Sequence, residues 1–336
     1  MTKATIVAKV ANVANVANVP KVPKVPKVPK AARPDEVPTS QAVTETGGAA
    51  PGAGPVGAHM STAGGLAKAV ERLVAAGGDA LQLFTKNSNQ WKGKPADPAE
   101  GRAFAAACAG AGVAPASLAA HSAYLINLAS SDPDVREKSR AALTDEIVRC
   151  DVAGIPWLVL HPGSHGGDGE ETGLDRIARG LDEAFAAAPG SKATVLLETA
   201  AGQGACLGHT FGQLAEIIRR SDAKGRLALC FDTCHVHAAG YDLVSKEGWQ
   251  RTMEELDRAC GLALVRVVHA NDSRKERGCR VDRHERIGLG AMGLAAVENL
   301  MTEPAFASVP KILETPKDED GAWDREGIAT LRRLAG

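Results

Sequence analysis

Apolar runs of four to eight residues alternate with helix-patterned stretches from residue 56 to residue 336, about eight times over. A short apolar run bounded by turn residues reads as a buried parallel strand, and the stretch after it as the crossover helix. That count in a chain this long predicts an α/β fold, a single closed eight-stranded (β/α) barrel of the TIM type. An open doubly wound sheet is the alternative, but its dinucleotide fingerprint is absent after the first strand. A further observation concerns chemistry. Successive runs end on histidine or carboxylate, at His121, His161, Glu198, Asp232, His269 and Glu314.

In order, the strands are VGAH, ALQLFT, PASLAAH, WLVLH, TVLLET, LALCFD, LVRVVH and KILET. The helices between them are GGLAKAVERLVAAGG, DPAEGRAFAAACAGAG, SDPDVREKSRAALTDEIVRCDVAG, TGLDRIARGLDEAFAAA, TFGQLAEIIRRS, SKEGWQRTMEELDRACG and GLAAVENLM, with DREGIATLRRLA last. The helix over Asp132–Ala153 opens on an Asp-Pro capping signal and stops at Gly154. In a parallel barrel every strand points the same way, so the strand-end residues share one rim.

Residues 1–55 read differently. VANVANVANVPKVPKVPKVPK is a three-residue repeat, and proline at every third position favours an extended, solvated chain. The segment is expected to be a disordered low-complexity basic tail and linker ahead of a barrel domain at 56–336. Lys21, Lys24, Lys27 and Lys30 would allow loose contact with nucleic acid.

The seven cysteines show no CxxC spacing, which points to reduced thiols and not to a disulfide framework. No stretch is apolar enough to span a bilayer and no secretory signal pattern opens the chain, so a cytoplasmic protein without a membrane partner is expected. Net charge is −1. Bound cations would change that balance locally, so near-neutrality does not exclude a polyanionic partner.

Imidazole and carboxylate are the donors that borderline divalent metals take. Asp282 and His284 follow the run ending at His269, and their spacing of two puts both side chains on one side of an extended segment. Asp232 and His235 straddle a strand end and can point to different ions. A carboxylate can bridge two cations where an imidazole nitrogen cannot, which suits Glu198 to a shared position.

GAHMSTAGG (57–65), FTKNSNQW (84–91), HSAYLINLAS (121–130), HPGSH (161–165) and ETAAGQG (198–204) together resemble the endonuclease IV family of abasic-site endonucleases. So do FDTCHVHAAGYD (231–242), HANDS (269–273), RVDRHERIGLG (280–290) and ILETP (312–316). The resemblance implies three zinc ions per chain. The first would be held by His121, His161 and Glu198; the second by Glu198, Asp232, His269 and Glu314; the third by His235, Asp282 and His284. It also implies Glu198 as the catalytic carboxylate, and hydrolysis of the phosphodiester 5′ to an abasic site with water activated by metal. The products would be a 3′ hydroxyl and a 5′ deoxyribose phosphate. The partner would be double-stranded DNA with abasic sites or blocked 3′ ends, which the same cluster would trim, and the enzyme a monomer.

By the same resemblance, Lys86, Asn87, Gln90 and Trp91 would grip DNA, with Tyr124 and Leu125 beside them. Gln203 lies in a glycine-flanked loop that lets backbone approach a phosphate. Arg283 belongs to a basic stretch with Arg274, Lys275, Arg277 and Arg280 that suits phosphate contact. Asn89 departs from the family pattern, standing where an arginine that wedges into the duplex is expected. His165 and His237 are candidates for hydrogen-bonding a ligand; His59 is assigned no metal and His209 no chemistry. A metal-dependent sugar isomerase of the xylose isomerase type is the rival reading, and a non-catalytic DNA-binding scaffold the other. The Asp282–His284 pair argues against the isomerase.

Overall fold

The computed structural model describes residues 54–335, so the tail expectation lies almost wholly outside the described residues. Eight parallel strands close into a barrel. They are β1 (Val56–His59), β2 (Ala80–Leu83), β3 (Leu118–His121), β4 (Trp157–Leu160), β5 (Thr194–Glu198), β6 (Leu227–Asp232), β7 (Val265–His269) and β8 (Lys311–Leu313). Neighbours follow chain order, and β8 pairs back onto β1 with Val56 opposite Lys311.

The expected helices follow their strands. They are α1 (Leu66–Ala75), α2 (Pro98–Gly110), α3 (Pro133–Ala153), α4 (Glu170–Ala187) and α5 (Phe211–Arg220), and then α7 (Lys246–Ala259), α8 (Gly293–Met301) and α9 (Ala322–Leu334). Between α5 and α7 lies α6 (Thr233–Ala239), which the sequence pattern did not announce. It is nearly all buried, so it shows no polar face to mark a helical period. Its start is set by the Asp232 side chain, which accepts from His235 N at 2.7 Å, and its end by Gly240 in the left-handed region. The signals read for α3 hold: Asp132 caps it, Pro133 opens it, and Gly154 closes it at φ 70°.

Alternation along each strand sorts the core into two layers. Leu81, Leu118, Leu158, Val195, Leu229 and Val268 face the helices. Ala80, Ala119, Val159, Leu196, Ala228, Cys230, Val267 and Ile312 fill the barrel interior. Gly57 has to be glycine: a Cβ there would lie 1.6 Å from Ala80 O on the neighbouring strand. Beyond the barrel, Asp272–Ser273 pairs antiparallel with His284–Glu285, folding the basic stretch 274–283 back over the rim. All seven cysteines are free, and no helix among the described residues is long and apolar enough to cross a membrane.

Candidate metal centre

The inward position above the apolar interior is polar on every strand. Continuing the alternation gives His59, Gln82, His121, His161, Glu198, Asp232, His269 and Glu314, a ring at the carboxyl ends of the strands. Two elements outside the ring add to it. The first turn of α6 supplies His235, and the returning strand supplies His284, with Asp282 just before it.

The structure brings all nine candidate ligands into three groups: His121, His161 and Glu198; Glu198, Asp232, His269 and Glu314; and His235, Asp282 and His284. Donor atoms within each group lie within 4.8 Å of one another. Glu198 is 1 % exposed and divides its oxygens between two groups. Its Oε2 lies 2.8 Å from His161 Nε2 and 3.3 Å from His121 Nε2, while its Oε1 lies 2.9 Å from His269 Nδ1.

The donor set fits divalent cations on the geometry of the histidines themselves. His121 Nδ1 lies 2.8 Å from Ser122 O, His235 Nδ1 2.8 Å from Thr199 O, and His284 Nδ1 3.1 Å from Glu314 O. A carbonyl only accepts, so in each case Nδ1 holds the hydrogen and a neutral ring turns a bare Nε2 inward. In the third group two such nitrogens, of His235 and His284, face each other at 3.4 Å with Asp282 oxygens 3.2 and 3.4 Å away. Lone pairs that converge on a carboxylate need a proton or a cation between them.

Without a cation, protons take that part. Burial disfavours charge on both His235 and His269, yet Asp232, Asp282 and Glu198 hold the first well above the usual range, and Cys230, Glu314 and Glu198 hold the second there. His121 is raised by Glu198 against the same burial. Burial opposes ionisation of Glu198, but His161 and His269 hold its carboxyl well below the ordinary value. His269 does the same for Glu314, again against burial. Asp282 is lowered to about 2 by His235, against its own burial.

Several residues that hold this ring were not singled out in the sequence. Asn271 donates to Asp232 Oδ2 at 2.8 Å and accepts from Glu314 N at 2.8 Å. Thr199 Oγ1 accepts from Asp232 N at 2.8 Å. Gln82 sits among His59, His269 and Glu314. The available signal for Gln82 was a lone polar residue on the inner register of an apolar strand. His59 stands 3.5 Å from Glu314 Oε1 and belongs to none of the three groups.

Neither of the two histidines read as partners of ligands hydrogen-bonds a ligand through its ring. His165 Nδ1 accepts from Gly167 N at 3.3 Å and Gly169 N at 3.1 Å, shaping the turn into α4. His237, two residues beyond His235 on α6, is buried with neither ring nitrogen hydrogen-bonded. His209 Nδ1 lies 3.0 Å from Cys206 O, a local loop contact.

Of the DNA-contact candidates, Gln90, Gln203 and Arg283 are exposed, Trp91 and Leu125 are half-buried, and Tyr124 is 61 % exposed with its ring 6.2 Å from that of His161. Asn87 and Asn89 are exposed too, Asn89 N donating to Asn87 Oδ1. Lys86 is placed differently from these. Its side chain is only 3 % exposed, and Nζ lies 2.8 Å from Asp145 and 3.5 Å from Glu146 of α3. That ammonium pins its loop to a helix and does not point to solvent. In the basic stretch Arg274 pairs with Glu285 and Arg277 with Asp242.

Similarity to known proteins points to one family. The family model of the xylose isomerase-like TIM barrel matches residues 70–334. A probable endonuclease 4 of Trichlorobacter lovleyi is 48 % identical over 279 residues, covering 83 % of this chain and 99 % of the relative. That of Geobacter sulfurreducens is 49 % identical over 83 % of this chain and 94 % of its own. The crystal structure of endonuclease IV from Thermus thermophilus superimposes with a TM-score of 0.73 at 33 % identity, covering 83 % of this chain and 98 % of that one. A D-tagatose 3-epimerase-like protein shares the fold at 20 % identity and a TM-score of 0.62. With near-complete coverage of relatives at almost half identity, the chain belongs to the endonuclease IV family.

Proposed function

We propose that this chain hydrolyses the phosphodiester 5′ to an abasic site in duplex DNA, using three divalent ions, zinc by family, held by the nine side chains grouped above. Family membership makes the chain a DNA-cleaving hydrolase. The observation that carries the finer reading is Glu198, whose two oxygens face different histidine groups as a bridging carboxylate must. Divalent ions bound there would lower the pKa of water to give a nucleophile at neutral pH and would neutralise charge on the leaving oxygen.

The chain's own residues do the positioning. His121 and His161 hold one oxygen of Glu198, and His269 with Asn271 and Asp232 order the other side of the ring. Tyr124 stands exposed at the rim beside His161, where a ring can pack on an extruded sugar. Arg283 and Gln203 are exposed, and on this reading they hold flanking phosphates. Recognition by shape suits a lesion that has no base to read. The same cluster would remove phosphate or sugar fragments from blocked 3′ ends.

The test is a synthetic duplex with one tetrahydrofuran abasic analogue, incubated with the metal-replete chain, with and without chelator. One incision 5′ to the lesion is expected, leaving an end that a polymerase extends, and it should vanish with chelator and return with zinc. An uncut duplex, or a cut whose 3′ end cannot be extended, would overturn the proposal.

A further inference from the structure

The ring member on β2 is an amide, Gln82, and it is 0 % exposed. Its Nε2 lies 2.6 Å from Glu314 Oε1 and 3.0 Å from His59 Nδ1, and its Oε1 lies 2.8 Å from His269 Nε2. An ionised carboxylate only accepts, so the NH2 end of the amide must face Glu314. The carbonyl end then faces His269 and, being an acceptor, requires a hydrogen on Nε2. That leaves His269 Nδ1 to face Glu198 Oε1 at 2.9 Å, Glu314 Oε2 at 3.1 Å and Asp232 Oδ2 at 3.7 Å. One amide therefore settles both the tautomer of His269 and the rotation of the Glu314 carboxylate.

His269 differs in this from its neighbours. His121, His235 and His284 are held by main-chain carbonyls, which no substitution removes, and with the opposite nitrogen turned inward. Resting on the metal reading above, we propose that Gln82 is the positioning residue of the four-ligand group. It presents Nδ1 of His269 and one oxygen of Glu314 to the ion shared with Glu198 and Asp232. It is not a ligand, and the other two groups do not depend on it. His59 completes the device: with Nδ1 accepting the second amide hydrogen, it stops Gln82 from turning.

The full-length chain, loaded with zinc, is challenged with graded chelator, and the ions released are counted for wild type and Gln82→Met. Methionine keeps the length of the stem and removes both polar contacts. Wild type should hold three ions; failure to do so would sink the metal reading itself. In Gln82→Met one ion of the three should leave at roughly 10–100-fold lower chelator concentration, the size of effect seen when a ligand's hydrogen-bond partner is lost. The other two should be retained as in wild type. Equal retention of all three, or equal weakening of all three, would overturn the role given to Gln82. Should the variant fold poorly, wild type still decides the matter. With 15N-labelled histidine and cadmium-113 loading, His269 should couple to the metal through Nδ1 and carry its proton on Nε2. Coupling through Nε2 would refute the assignment.

Discussion

Replacing Lys86 with methionine removes the ammonium shared by Asp145 and Glu146 while leaving most of the apolar stem. The side chains of Lys86 and Glu146 are 3 % and 2 % exposed, so water cannot take the missing place. Breaking a buried ion pair from one side costs about 3–5 kcal/mol. The lower end applies here, because Asp145 keeps Arg149 at 2.9 Å and Glu146 keeps the Thr85 hydroxyl at 2.5 Å. At about 2–4 °C per kcal/mol for a domain of this size, the melting temperature should fall by about 6–12 °C. The sign with pH follows from Glu146, whose carboxyl is pushed up by burial and opposed chiefly by Lys86. Without Lys86 it rises further, and a carboxyl raised above its unfolded value destabilises the fold as pH climbs past that value. The deficit is therefore largest at neutral pH and narrows at mildly acid pH, as the group protonates. Calorimetric melting of both proteins at the two pH values measures this, alongside the salt dependence of duplex binding. Equal melting temperatures, with a salt slope reduced by about one, would show that Lys86 holds a phosphate after all.

Glu198→Gln should lower incision of the abasic duplex by at least about 10²–10³-fold and reduce bound metal, read by gel assay and elemental analysis; retained activity would remove Glu198 from the mechanism. Loading the metal-free chain at pH 7 should release protons, because His121, His235 and His269 are raised above 6.5 and must shed them to ligate. Calorimetry in buffers of different ionisation enthalpy counts those protons, and a count of zero would contradict the grouping. Deleting residues 2–53 should leave incision at moderate salt within about twofold of the full chain, and a larger loss would give the lysine repeat a part in holding DNA.

Much of the site was legible because barrel topology converts a one-dimensional pattern into a place. His121, Glu198, Asp232 and His269 each end an apolar run, and parallel strands carry such ends to one rim. The burial of Lys86 was not legible, because a lysine in a polar loop reads as solvated until its partner, 59 residues on, arrives from α3. Gln82 passed unmarked for a similar reason: its partners lie 187 and 232 residues away, and one polar residue in a strand says little alone.

The order of the eight strands and their crossover helices, the closed architecture and the chemical character of the rim were written in the chain, since local alternation and strand-end residue type suffice for them. Which oxygen of Glu198 meets which imidazole, and which ring nitrogen of His269 is bare, were not. Those depend on distances set when β8 closes onto β1, and on burial that makes each hydrogen bond select a tautomer. Local sequence specifies the donors; only the closed barrel decides how they face one another.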